Sequence, residues 1–393
     1  MSSIENPMKA ALARYRNRKY RVSSGKYRPT EASCEITDPF GDKQRVGRCR
    51  RAIYYRKVNA PSEPKTDNTM LTFSTGNAME DYFCELWRES GLLIDQDIPC
   101  MGIAESNGIE IPIVGAIDGL LRNFVADPPG DQYSGGAPTE ISTTEASLME
   151  FKTARGMAIE EAVSTRSGII RYPSPTNSLY PNGIPKMAYA MQLALYLYFK
   201  EPLEKHYGVE ITEGLLCYAG LKPQVYTNFR LHLEGDEGKI IIEDRFGNVI
   251  EPSVAYLLRP EISDEVMNRG VTPIEGLTIE GILESYAYVI DHLERQEVPE
   301  RDFQLRWSKE YVERGLETGM LRTGGGKKNA NVVRWEKNDF QTVGSYECYY
   351  CDFSDTCYPL GILTEAVEDG EMTESEAIQE LKDAGIRLPI FNP

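Results

Sequence analysis

The chain is 393 residues long, 41% hydrophobic and 26% charged, which allows a full core in one large domain or two and reads as an ordinary soluble globular protein. Its N-terminus lacks the apolar core of a signal peptide, and no stretch approaches the roughly 20 apolar residues of a membrane span. A cytoplasmic protein with no membrane partner is therefore expected. The formal net charge of −17 speaks against a nucleic-acid partner only until its distribution is read. Residues 1–59 hold 15 Lys or Arg against 5 Asp or Glu, a balance of +10, and the remainder carries −27. The total hides a basic N-terminal region, which is either a solvated arm or a surface that tracks a phosphate backbone.

In chain order, the basic arm (1–48) leads into "RCRRAIYYR" (48–56), the start of a helix, and then into a proline-containing connection, "NAPSEPKTDN". Residues 72–91 place Met79, Phe83, Leu86 and Trp87 at helical spacing, with Ser74 or Thr75 as N-cap and Gly91 as stop. Residues 109–125 alternate and are rich in β-branched side chains, which predicts strands or a hairpin. Residues 126–146 are a loop by composition, and "SLMEFKTA" (147–154) is a short strand. A helix near 156–167 precedes a segment with four prolines (171–185), which forbid regular structure. "KMAYAMQLALYLYFK" (186–200) is apolar nearly all round and predicts a buried helix; residues 213–235 predict two further strands. From 263 to 320 the pattern is helical, 322–335 is a basic glycine loop, and the acidic tail after 360 ends in an amphipathic helix. This order implies an α/β fold with a central mixed sheet flanked by helices, one domain with insertions.

Four Glu-x-Lys triplets occur, at Glu63/Lys65, Glu150/Lys152, Glu237/Lys239 and Glu380/Lys382, so the triplet alone says little. Only "LMEFKTA" sits in an apolar strand, where the period of two puts Leu148, Glu150 and Lys152 on one face and Met149 and Phe151 on the other. Asp118 in "IVGAIDGLL" interrupts a second apolar strand, and burying its charge without a counter-ion costs several kcal/mol. Two converging carboxylates make a hard oxygen site for Mg²⁺ or Mn²⁺, and a water activated there and oriented by Lys152 is suited to attack a phosphodiester. An internal salt-bridge cluster of the same three residues reads equally well from sequence. The three histidines, His206, His232 and His292, lie outside every polar cluster, which argues against a Ser/His/Asp hydrolase or a histidine-bound zinc hydrolase. "TGGGKK" lacks the frame of a phosphate-binding loop.

Eight cysteines are too sparse for a disulfide framework in a chain of this size and compartment, where clustered thiols more often bind metal or iron-sulfur clusters. Cys348, Cys351 and Cys357 form a C-x2-C-x5-C run, one ligand short of a closed four-thiolate site. Cys84, Cys100 and Cys217 sit in apolar surroundings and read as core residues. Cys34 and Cys49 remain, and the context of Cys49, "RCRRAIYYR", favours it.

That context, with five further segments in order, carries a family resemblance. Cys49 to Tyr55 resembles the C-x-R-x-x-x-Y opening of RecB-like nucleases of the PD-(D/E)XK superfamily that carry an iron-sulfur cluster, such as the CRISPR adaptation nuclease called Cas-four and the nuclease domain of AddB. "GNAME" (76–80) is similar to the family's G-x-x-x-[HE] helix motif, "GAIDG" (115–119) to its aspartate strand and "EFK" to its E-x-K. "MQLALYLY" (191–198) resembles the Q-x-x-x-Y helix, and "VPERDF" with the C-x2-C-x5-C run resembles the C-terminal cluster region. Glu80 stands where many relatives have histidine.

The resemblance implies a restriction-endonuclease-like core over residues 49–360, between the arm (1–48) and an acidic tail (361–393). It implies a 4Fe-4S cluster held by Cys49, Cys348, Cys351 and Cys357, with zinc on the same thiolates as the rival. The expected activity is a metal-dependent DNA nuclease, acting on single strands or ends in recombination, repair or phage DNA processing, or trimming prespacers in CRISPR adaptation. Glu80, Asp118 and Glu150 bind Mg²⁺ or Mn²⁺, Lys152 orients water, and Gln192 with Tyr196 positions the scissile strand. Arg48, Arg50, Arg51 and Arg56 are expected on DNA phosphates, and Tyr54 or Tyr55 either stacks on a base or packs in the core. A helicase or a CRISPR integrase is the expected protein partner. The rival from another class is a non-catalytic, cluster-bearing DNA-binding module.

Overall fold

The computed structural model describes residues 25–37, 43–62, 67–124, 140–155, 183–222, 226–250, 277–305, 307, 345–349 and 351–383. The expected helix at 156–167, most of the proline-rich segment, the glycine loop at 322–335 and much of 263–320 lie outside them. In chain order the elements are β1 (Ser33–Thr37), β2 (Lys43–Gly47), α1 (Arg50–Lys57), α2 (Asp67–Glu89), β3 (Leu93–Ser106), β4 (Ile109–Phe124) and β5 (Ile141–Arg155). Then follow α3 (Met187–Tyr198), α4 (Glu201–Tyr207), β6 (Glu210–Lys222), β7 (Tyr226–Glu234), β8 (Lys239–Glu243), β9 (Val249–Ile250) and α5 (Ile279–Arg295). The described C-terminal residues hold the short α-helices α6 (Tyr346–Tyr349), α7 (Ser354–Cys357), α8 (Thr364–Glu368) and α9 (Glu374–Asp383).

Strands β3 to β9 form one seven-stranded sheet in sequence order, while β1 and β2 make a separate antiparallel pair. Among the described strands of the large sheet, β5 and β6 pair in parallel and the other neighbour pairs are antiparallel. A parallel pair needs a crossover, and α3 lies on that crossover. The protein is thus an α/β fold with a large mixed sheet flanked by helices.

The two faces of β5 explain the layers. Leu148 belongs to the main core, with the α3 residues Ala190, Leu193, Ala194 and Leu197 and with Ile282, Tyr286 and Val289 of α5. Met149 and Phe151, on the opposite face, form a smaller cluster with Cys84, Met79, Phe83 and Trp87 of α2. The uniformly apolar α3 is buried at every position from Ala190 to Leu197, as its composition demands. Helix α5 starts where the Thr278 hydroxyl accepts from the Gly281 amide, 3.0 Å away, an ordinary N-cap.

Several boundaries differ from expectation. Helix α2 begins at Asp67, so Ser74 and Thr75 lie inside it, and the Thr75 hydroxyl donates back to the Leu71 carbonyl at 2.9 Å instead of capping. Strand β5 begins at Ile141, within the expected loop. Residues 109–125 are not a hairpin by themselves: β4 is one long strand that pairs with β3. Asn107 and Gly108, both at positive φ (53° and 75°), make the turn between them, as Asn-Gly does in tight hairpins.

Residues 27–37 and 43–47, within the basic stretch, fold onto the core. Tyr27 bridges Ile113 in parallel, and the Tyr286 hydroxyl donates to the Arg28 carbonyl at 2.7 Å. Asp302, whose side chain is 1% exposed, pairs with Arg45 of β2 at 3.2 Å and with Arg50 of α1 at 2.6 Å.

Candidate metal centre and cysteine pocket

Strand β5 carries Glu150 and Lys152, and the neighbouring strand β4 carries Asp118. Glu150 is 1% exposed. Its Oε1 accepts from the Lys152 ammonium and from Gln192 Nε2 at 2.6 Å, while its Oε2 is buried without a hydrogen-bond partner among the described residues. Asp118 Oδ2 accepts from the Phe151 amide at 2.7 Å, which ties the two strands where they diverge. The Tyr196 hydroxyl donates to the Ala116 carbonyl at 2.8 Å and lies 3.5 Å from Gln192 Nε2. A Cβ at Gly115 would stand 2.8 Å from that hydroxyl, so the first glycine of "GAIDG" makes room for Tyr196.

Glu80 comes from α2. At Gly76, one turn earlier, a Cβ would lie 3.1 Å from Thr153 Oγ1 of β5; the missing side chain lets the helix come close to the strand that carries Glu150. Glu80, Asp118, Glu150 and Lys152 are near enough to shift one another's protonation. Burial, then Asp118 and Asp97, push the Glu80 carboxyl up to about 7. Burial pushes Glu150 up to about 8, with Lys152 opposing and Asp118 adding. Asp118 is raised by burial, against the pull of Lys152 and the Phe151 amide. For Lys152, burial alone would lower the ammonium, but Glu150 and Asp118 outweigh it and raise its pKa. Among the described residues no three Asp, Glu, His or Cys side chains converge closely enough, as they stand, to share one ion.

Gln192 and Tyr196 are 4% and 2% exposed; Gln192 donates to Glu150 and Tyr196 to the backbone of β4. The sequence pattern does not single out Asp97, a carboxylate on β3, because the strand's alternation is broken by Asp95, Asp97 and Pro99.

The cysteines separate into two groups. Cys34, Cys84 and Cys100 are buried and Cys217 partly buried, all among apolar side chains. Cys49, Cys348, Cys351 and Cys357 line one pocket with Arg51, Tyr55, Phe353, Arg301 and Tyr358. Cys49 stands at the start of α1, so the N-terminal part of the fold supplies one wall and the C-terminal part the other. The Phe353 amide donates to Cys351 Sγ at 3.4 Å, and the Arg51 guanidinium donates to Cys357 Sγ at 3.6 Å. Arg301 donates to the Cys357 carbonyl at 2.8 Å and to both oxygens of Glu368 on α8. Burial, then Asp302, push the Cys49 thiol up to about 12, with smaller contributions from Cys351 and Cys357.

The arginines expected on DNA have internal partners. Arg50 donates through Nε to Asp302 Oδ1 at 2.8 Å and covers the Tyr288 ring. Arg51 holds the Pro299 carbonyl at 2.5 Å, Arg56 pairs with buried Glu31 at 2.7 Å, and exposed Arg48 reaches the Thr30 carbonyl at 3.4 Å. Tyr54 is 6% exposed and Tyr55 packs against Phe353 with ring centroids 5.9 Å apart. These contacts account for the motif's arginines and tyrosines without a nucleic acid.

No family model matches the chain. No curated protein matches it either. Among solved structures, the crystal structure of SSO0001 is similar at 14% identity and a TM-score of 0.31, covering 57% of this chain and 77% of that one. Among the described residues no helix is long and apolar enough to cross a membrane.

Proposed function

We propose that this protein is a metal-dependent deoxyribonuclease of the PD-(D/E)XK type that acts on single strands or DNA ends and carries a 4Fe-4S cluster. The observation that carries the reading is the state of Glu150: a buried carboxylate with one oxygen fixed by Lys152 and Gln192 and the other without a partner, beside Asp118 and Glu80. Burial raises all three carboxyls, and a divalent cation bound among them would favour their ionised, metal-ligating form.

A Mg²⁺ or Mn²⁺ ion held by Glu80, Asp118 and Glu150 would supply Lewis acidity to the phosphoryl group and lower the pKa of water beside it. Lys152, kept protonated by its carboxylate neighbours, donates hydrogen bonds and so orients water or a phosphate oxygen; it does not take the proton. Gln192 holds Glu150 in place, and Tyr196 holds the strand that presents Asp118.

The second pocket fits a cluster by its donor set: four thiols line one space, and an amide and a guanidinium donate to two of the sulfurs. Bound there, it would join Cys49 to the C-terminal run.

The test uses anaerobically purified protein, labelled single-stranded and duplex DNA, and Mg²⁺ or Mn²⁺. Degradation by the wild type and a loss on the order of 10²-fold or more in Asp118→Ala, with an unchanged circular dichroism spectrum, support the reading. A wild-type protein that leaves DNA intact under every divalent ion overturns it.

A further inference from the structure

Helix α1 opens with two arginines and no acid in its first turn, at the end of a helix where positive side chains are disfavoured. Arg50 is compensated there by Asp302 at 2.6 Å, as Arg56 is by Glu31 and Arg301 by Glu368. Arg51 makes no ion pair with a carboxylate among the described residues. It is held by an uncharged acceptor, the Pro299 carbonyl, which accepts from its Nε at 2.5 Å. That contact aims Nη1 at Cys357 Sγ, 3.6 Å away, and Arg51 lines the pocket together with all four clustered cysteines. A partly buried guanidinium without an acid calls for an anion. The atom it meets is a sulfur.

We infer that Arg51 tunes the group held by the four cysteines: its guanidinium donates to the Cys357 sulfur and lifts the reduction potential of the cluster above the value the thiolates alone would give. This rests on the 4Fe-4S reading of the pocket. Thiolate ligation makes such a cluster anionic, and taking up one electron, with no bond formed or broken, adds a further negative charge. A fixed positive charge and an N–H···S hydrogen bond both favour the reduced state. Arg301 beside it contributes less, because Glu368 already matches its charge.

The test titrates anaerobically purified, iron-loaded full-length protein with dithionite as electron donor and redox mediators present, following the reduced cluster by electron paramagnetic resonance. In Arg51→Gln the ratio of reduced to oxidised cluster at the wild-type midpoint is expected to fall about tenfold, which is about 59 mV toward lower potential for one electron. Arg51→Lys keeps the charge without the fork of donors, and its midpoint moves less, in the same direction. Arg56→Gln, on the same helix and outside the pocket, keeps the wild-type midpoint. A merely structural role for Arg51 would lower melting temperature and iron content and leave the midpoint of the loaded fraction where it is. If Arg51→Gln holds no iron, Arg51→Lys decides. Iron-loaded Arg51 variants with the wild-type midpoint overturn the inference and leave the cluster reading standing; a wild type without iron and acid-labile sulfide overturns the cluster reading, and this inference with it.

Discussion

Glu150 concentrates the chemistry of the site. Its ordinary carboxyl pKa of 4.5 is raised to about 8 in the fold, so between those values the folded protein keeps a proton that the unfolded chain has released. Deprotonation then favours unfolding, and stability present below about pH 4.5 is lost as the pH rises through 8. Asp118 and Glu80 are raised too and act in the same direction. In chelator, the melting temperature of the wild type should fall relative to Glu150→Gln from pH 5 to pH 8.5, and saturating Mn²⁺ should abolish the difference in slope; parallel curves in chelator would refute it. Glu150, Lys152 and Asp118 were legible in the sequence because a charge in an alternating apolar strand is conspicuous. The roles of Gln192 and Tyr196 were not, since their spacing fixes a shared helical face and says nothing of what that face meets.

Among the elements, the strongest tie outside the sheet is the ion network of Asp302 with Arg45 of β2 and Arg50 of α1, with side-chain exposures of 1%, 5% and 15%. Removing the acid takes from Arg50 its carboxylate partner in a dry place and leaves Arg45 with Glu35 alone, so Asp302→Ala should cost about 3–5 kcal/mol, read from urea unfolding with the circular dichroism signal as probe; a loss below about 1 kcal/mol would mean that water already solvates the network. Elements with a strong period were legible: α3 is apolar all round and α5 carries one apolar stripe. Strands β1 and β2 were hidden because charged residues such as Glu35, Lys43 and Arg45 occupy them and find partners only in the folded chain. Strand β3 was hidden by Asp95, Asp97 and Pro99, although the Asn107–Gly108 turn announces a hairpin. The N-cap expected at Ser74 or Thr75 failed because α2 continues upstream to Asp67, with tertiary packing overriding a local preference.

At the scale of the whole molecule, the cysteine pocket joins parts of the chain that the sheet does not. Cys49 was preferred to Cys34 in the sequence for its basic and aromatic surroundings, and the fold gives the physical reason: Cys34 is 0% exposed in the main core, whereas Cys49 faces the C-terminal run. Cys49→Ala should therefore lower bound iron and acid-labile sulfide and speed proteolysis after residue 345, whereas Cys34→Ala should leave the iron content unchanged. Equal iron in the two variants would rule out the assignment. The distance along the chain has a consequence for biosynthesis. Cys49 leaves the ribosome early and must wait as an exposed thiol until Cys357 emerges, by which time every strand of the sheet has been made, so the pocket closes over a framework already folded and the newborn protein passes through a stage in which Arg51, Tyr55 and Cys49 are open to solvent.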